Sequence, residues 1–526
     1  MDQFGQTPRQ EGPERLISEH ETPAGARQLR GVATVATDYA AVIAGRIGYV
    51  ALSLASVVLL TRILSPSDYG ALAFLTVVAG LLFTVTWAWT GAAVPRFGRE
   101  ELEHGRAMRA VSWNRFVLTA PLLPIGTGLL VLLMLVDALP PEFTWSFAWL
   151  AVALALVLAL AEHVTLLLEG SGRMKLSGLA WLARQVIVVA ALLVIFASGR
   201  GQSPTAVAIA TIAAMLAVAL TLSAAVWKSG FWPPTVDTPL RRRMLAFSLP
   251  LIAFTASQQV MAAADLVVIR AFMTAGDVGT YAVAYQGYLA LQPVTAAAVS
   301  VFVPLLVSLR MANRDQLVRR YAERIVPQLL VIGAAVSGIG VSFVPLLAPV
   351  VFGASFEAAT RPLVLLAGPL LLGFVASLLA PVLNVYDRTR ELALVNVAAA
   401  AVNVIGDIVL IGVLGFGIEG AALATAAAVG VIALGYYRIV SKATGSVTPP
   451  RTALLVAPLF AGLLPALLVT GVWAAVIGVA SAVAVTVVVV AICSPFDRAD
   501  AELVASLDLH PRVKALALRG LAIAAR

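Results

Sequence analysis

Fourteen long, mostly apolar runs divide this chain, and a chain built that way has few folds open to it. A bilayer span needs ~20 mostly apolar residues. On that ruler, helices are expected at roughly 38–60, 71–94, 116–136, 145–168, 176–197 and 205–227, then at 247–269, 280–309, 325–351, 362–385, 392–414 and 418–438, and last at 452–472 and 474–493. The final two have so little between them that they read as a tight hairpin. A composition of 60% hydrophobic and 12% charged residues lies far outside the soluble range. The expected fold is an all-α polytopic membrane protein.

The charges supply a topology. Twenty Lys and Arg fall in even-numbered gaps, 22 with Arg184 and Arg438 from the edges of neighbouring runs as roughly bounded, against four in odd-numbered gaps: Arg62, Arg200, Arg270 and Arg361. The positive-inside rule then places the even gaps and both termini in the cytoplasm of a cell whose cytoplasmic (inner) membrane holds the chain. The net charge of +8 needs no nucleic-acid partner, because a basic inner face meets anionic membrane lipid.

Several chemistries are disfavoured. Cys493 is the one cysteine, so neither a disulfide nor a cysteine metal cluster forms within the chain. The histidines His20, His104, His163 and His510 are too scattered for a nucleophile triad or a metal site. Gly415, Gly417 and Gly420 spell GxGxxG, but both flanks are membrane-length helices and the gap is too short for a strand and crossover. A tight turn where glycines let helices 11 and 12 approach is the favoured reading. The odd-numbered gaps are all short, which counts against a membrane glycosyltransferase or polymerase. No catalytic residue, metal or cofactor is expected, and the chain is not read as an enzyme.

An internal repeat organises the rest. Asp68-Tyr69-Gly70 precedes Asp277-Val278-Gly279 by 209 residues, and the same shift sets Ala73 against Ala282, Thr86 against Thr295 and Pro95 against Pro304. Arg62 and Arg270 correspond with a one-residue gap. The shift covers six helices, an even number, so the halves share one orientation. Parallel repeats imply a pseudo-twofold axis along the membrane normal and a cavity between the halves. The expected divisions are a disordered tail at 1–37, a first half at 38–227, a cytoplasmic linker at 228–246 with Pro233, Pro234 and Pro239, a second half at 247–441, the hairpin at 452–493 and a basic amphipathic tail at 494–526.

Thr61 to Gly70, TRILSPSDYG, resembles the signature after the first helix of polysaccharide-biosynthesis flippases. These are the oligosaccharidyl-lipid flippases of the multidrug/oligosaccharidyl-lipid/polysaccharide (MOP) exporter superfamily. Leu249-Pro250, Asp265, Val278-Gly279-Thr280-Tyr281, Phe352-Gly353 with Phe356, and Gly417-Ile418-Glu419-Gly420-Ala421-Ala422 resemble further landmarks, over residues 35–445. The resemblance implies two lobes rocking in alternating access, without a cofactor. It implies as cargo a polyprenyl-diphosphate-linked oligosaccharide for an exopolysaccharide, O-antigen or similar envelope glycan, with a glycan polymerase and export machinery as partners. A cation-coupled multidrug antiporter of the same superfamily is the alternative; twelve spans and an acidic lumen would be expected of it. A glycosyltransferase or polymerase, and a scaffold that transports nothing, stand behind both.

Candidate site residues are the polar groups inside spans, since a charge at mid-bilayer costs ~2.5–3.5 kcal/mol on insertion scales and faces the protein interior or a wet cavity. Arg46 in helix 1 has two readings, a bidentate contact for the diphosphate or an ion pair with a buried acid such as Asp265. Gln258 and Asp265, seven apart, share a helical face. Tyr281, Tyr285, Tyr288 and Gln292 form a stripe on helix 8, read either as a platform for sugar rings or, at Tyr281, as an interfacial aromatic belt. Asn396, Asn403 and Asp407 on helix 11 read first as polar glue between helices. Glu162 and His163, adjacent in helix 4, point about 100° apart and are not expected to face one lumen together; with Asp265 and Asp407 they are candidates for ion coupling or structure. Arg62 and Arg270, at the outer mouths of helices 1 and 7, are expected to mark the anion's exit.

Overall fold

The computed structural model describes residue 45 and residues 48–199, 203–300, 302–447 and 450–496, apart from the side chains of 293–300, 304 and 450. The tail expected at 1–37, nearly all of that expected at 494–526, and Arg46 lie outside the described residues.

Among those residues, twelve helices are long and apolar enough to cross a membrane. Two further helices stand at the first and eighth expected spans. In chain order α1 is Gly48–Ile63, α2 Pro66–Thr86, α3 Arg109–Leu135, α4 Trp145–Gly170, α5 Met174–Ser198, α6 Pro204–Ala225 and α7 Leu251–Phe272. Next come α8 Ala275–Ser300, α9 Asp315–Ser342, α10 Ala367–Val385, α11 Thr389–Val413, α12 Gly417–Thr444, α13 Arg451–Leu468 and α14 Gly471–Cys493.

Order matches expectation; edges do not. α2 and α8 each begin about a turn before the apolar run, because a polar capping segment forms their first turn. Ser65 Oγ accepts from Asp68 N–H at 3.2 Å and donates to the Asp68 carboxylate at 2.7 Å. Thr274 and Asp277, 209 residues on, repeat this with 3.3 Å and 2.6 Å. Each cap satisfies N–H groups that the helix start leaves open, and Pro66 fits the first helical position. Several cations expected in even gaps lie inside helices, Arg115 in α3 and Arg184 in α5 among them.

The halves meet along α2 and α8, one of the most extensive helix pairings among the described residues. A Cβ built on Gly70 would stand 1.9 Å from Ala275 O, and one on Gly279 1.9 Å from Pro66 O. Pro66 and Ala275 are themselves 209 apart, so the crossing maps onto itself under the repeat, and only glycine lets the backbones come so close. Lower down, Gln259 of α7 accepts from Thr84 of α2 at 3.2 Å.

Packing inside each half repeats too: α4 and α5 rest on α6 as α10 and α11 rest on α12. The hairpin α13–α14 docks chiefly on α9 through small residues, with Gly462 against Gly338 and Gly478 against Ser342. Between the halves, the helix Thr238–Ser248 lies against Ala93–Glu103 and the start of α3. There Arg243 holds both oxygens of Glu100 at 2.7 and 2.8 Å, which keeps that carboxyl below its ordinary value. Gly415 and Gly417 take φ of +69° and +62° in the turn between α11 and α12, the tight turn expected for GxGxxG.

Candidate functional site

A dense buried polar set lies in the second half, where four helices converge on Asp265. Its Oδ1 accepts from Asn403 of α11 at 3.0 Å. Oδ2 accepts from Thr425 of α12 at 2.8 Å and from the Tyr281 hydroxyl of α8. Asp407, one turn beyond Asn403, interacts with Asp265, and both acids are at most 2% exposed. Neither Asp407 oxygen, nor Asn403 Oδ1, accepts a hydrogen bond among the described residues. Two carboxyls with only three donors between them are under-supplied. The set has oxygen ligands throughout, which suits a proton shared between the acids or a hard cation.

The repeat makes this site one-sided. At the 208-residue offset that relates Arg62 to Arg270 on α1 and α7, Asp265 corresponds to Val57, a buried apolar residue. Beside it Ser56 accepts from Gln185 of α5 at 2.7 Å, so the first half has neutral groups where the second has its acids.

The tyrosine stripe of α8 exists, with ring centroids 6.0 Å apart for Tyr281–Tyr285 and 5.5 Å for Tyr285–Tyr288. Tyr281 is not an interfacial belt residue: it is fully buried and serves Asp265. Tyr285 is half-buried, Tyr288 buried and Gln292 exposed beside the Tyr288 hydroxyl. Gln258 is exposed and two turns from Asp265, so the shared face does not bring them together. Its neighbour Gln259, which sequence spacing did not single out, is the one that reaches the other half. Asn396 is polar glue as expected, bonding the Tyr436 hydroxyl at 2.6 Å; Asn403 and Asp407 belong instead to the acid site.

Glu162 and His163 correct an expectation. Both meet Arg115, a fully buried guanidinium of α3, which gives Nη2 to Glu162 at 2.7 Å and Nη1 to His163 Nδ1 at 3.1 Å. A planar fork reaches two side chains 100° apart on one helix because its donors diverge. Nε goes to Thr90 at 2.8 Å, and the Trp87 ring lies 4.5 Å from the guanidinium carbon. Glu162 stays partly exposed and His163 Nε2 has no hydrogen-bond partner among the described residues; the cluster's cation, matched by one acid, reads first as structure.

Arg62 and Arg270 are both engaged by protein. Arg62 is exposed and donates to Val350 O at 2.7 Å. Arg270, half-buried, holds both oxygens of Glu142.

Residues 38–310, just over half the chain, match the family described as polysaccharide biosynthesis protein. A comparison with curated proteins finds no match. Among solved structures, the lipid II flippase MurJ in an inward closed conformation is 14% identical, over 85% of this chain and 97% of that one, at a TM-score of 0.66. An inward-facing multidrug resistance MATE family transporter of the MOP superfamily is 16% identical, over 75% and 94%, at 0.54. A MOP superfamily transporter from Pyrococcus furiosus, whose binding pocket is described as having reverse polarity, is 15% identical, over 77% and 95%, at 0.51. At such identities the likeness shows the fold, that of MOP-superfamily membrane transporters.

Proposed function

The chain belongs to the polysaccharide biosynthesis protein family, and from that premise we propose that it is a flippase. It carries a polyprenyl-diphosphate-linked oligosaccharide across the cytoplasmic membrane by alternating access, with both termini in the cytoplasm, and performs no covalent chemistry. The observation that carries the transport reading is the buried Asp265–Asp407 pair. Acids this deep in a membrane protein are costly to keep, and their upkeep is the mark of a relay or ion site. In this reading a proton or cation taken up there by the second half biases the rocking of the halves about the α2–α8 crossing. Arg46 receives the diphosphate, and Tyr285, Tyr288, Gln292 and Gln258 offer ring faces and amides to the sugar.

Depletion of the protein tests the substrate: sugar-loaded polyprenyl diphosphate should accumulate in the inner leaflet, and Asp407→Asn should reproduce this at normal protein level. If lipid-linked glycan keeps its distribution while resistance to cationic drugs falls, the chain is instead a cation-coupled antiporter, a reading that the same acid pair also suits.

A further inference from the structure

Two contacts near the α2–α8 crossing join the halves, and a single shift relates them. Arg62, at the end of α1 in the first half, donates across to Val350 O in the second. Arg270, at the end of α7 in the second half, gives Nε and Nη2 across to the Glu142 carboxylate in the first. Arg62 precedes Arg270 by 208 residues, and Glu142 precedes Val350 by 208, one short of the 209 shift that relates Pro95 to Pro304. Donor maps onto donor, and the acceptors fall within one residue of repeat-related positions.

The surroundings follow the same plan. Arg270, Glu142, Gly70 and Ala275 line one crevice, so the ion pair borders the glycine crossing directly. On the other side Tyr69 of the first half meets Phe356 of the second edge-on, centroids 5.8 Å apart. Gly353, at φ +89°, leaves space for Arg62, whose Nη1 would be 2.9 Å from any Cβ there. The backbone at this point is shaped around the guanidinium.

Both guanidinium groups reach across: Arg62 gives Nη2 to the second half, and Arg270 gives Nε and Nη2 to the first while its Nη1 donates to Met273 O of its own half at 3.2 Å. We propose that Arg62 and Arg270 are positioning residues, a repeat-related latch that holds the two halves closed at the outer mouth, and not ligands of the transported anion. The inference builds on the alternating-access reading above. The two arms differ in strength: Arg270 makes a bidentate, charge-assisted pair, whereas Arg62 has one exposed bond to a neutral carbonyl. Arg270 and Glu142 therefore dominate closure.

Spin labels at Ser67→Cys and Glu357→Cys, both exposed and on opposite halves, in a Cys493→Ser background, report the mouth by pulsed dipolar distances in the full chain in liposomes. Arg270→Gln should raise the open-to-closed ratio roughly fivefold, the scale of a partly exposed ion pair. Arg270→Glu should open the mouth at least as far. Arg270→Glu with Glu142→Arg should restore the closed distance, since a latch needs opposite charges across the interface while an anion ligand needs a cation at 270. An unchanged distance distribution in Arg270→Gln overturns the latch, as does a correctly folded double swap that stays open. A latch that behaves as expected in a protein whose depletion leaves lipid-linked glycan undisturbed keeps this inference and removes the substrate reading.

Discussion

At the scale of single residues, Asp407 is the sharpest test of ion coupling. Asp407→Asn keeps the volume and removes the acid, so transport in vesicles driven by an ion gradient should fall by roughly tenfold while the protein stays folded. Asp265→Ala acts differently, because it strands Tyr281, Asn403 and Thr425 as buried groups at ~1–3 kcal/mol each; thermal unfolding in detergent should show the loss. Arg115→Ala leaves Glu162 and His163 without their shared donor, and breaking a buried pair costs ~3–5 kcal/mol, so this variant should be recovered in much smaller amounts. Sequence marked Asp265, Asp407, Glu162 and His163 because polar residues stand out in apolar runs. It did not pair them: Asn403 and Asp407 looked like glue, and Arg115 looked like a loop cation, because linear spacing records one helix's face and not the neighbour that faces it.

At the scale of helices, the α2–α8 crossing depends on two positions. A methyl on Gly70 or Gly279 would lie 1.9 Å from a backbone oxygen, so the helices must part, and overpacking of this kind costs ~1–3 kcal/mol. Gly70→Ala and Gly279→Ala should each lower the unfolding temperature and lengthen the distance between labels at 67 and 357. The latch beside them has a pH dependence of known sign. The bond from Arg270 holds the Glu142 carboxyl below its usual value, near 4.3 for a free glutamate. Its contribution is present above that ordinary value and disappears as pH falls through the lowered one, so the mouth should stay closed through the ordinary carboxyl range and open only in stronger acid. The label distance followed by acid titration measures this. The repeat behind the crossing was legible in Asp68-Tyr69-Gly70 and Asp277-Val278-Gly279; that the repeated segments touch each other was not, since a shift in register carries no distance.

At the scale of the whole molecule, the bilayer's thickness is the reason so much could be read beforehand: it imposes a similar length on every span, and among the described residues fourteen helices stand in the expected order, twelve of them long and apolar enough to cross a membrane. The charge sorting predicts that a phosphatase fused after Arg526 is inactive and one inserted at Gly415 is active, a direct check on orientation. The one-sided acid site has a further consequence at this scale. Val57, the repeat counterpart of Asp265, carries no charge, whereas Asp265 and Asp407 give the second half acids that can take up a cation. Any cation that boards there rides with a single half, and its displacement does electrical work of ~2.3 kcal/mol per elementary charge per 100 mV. The cycle should therefore be voltage-sensitive: an interior-negative potential imposed on proteoliposomes should change its rate, and Asp407→Asn should make the turnover that remains indifferent to voltage.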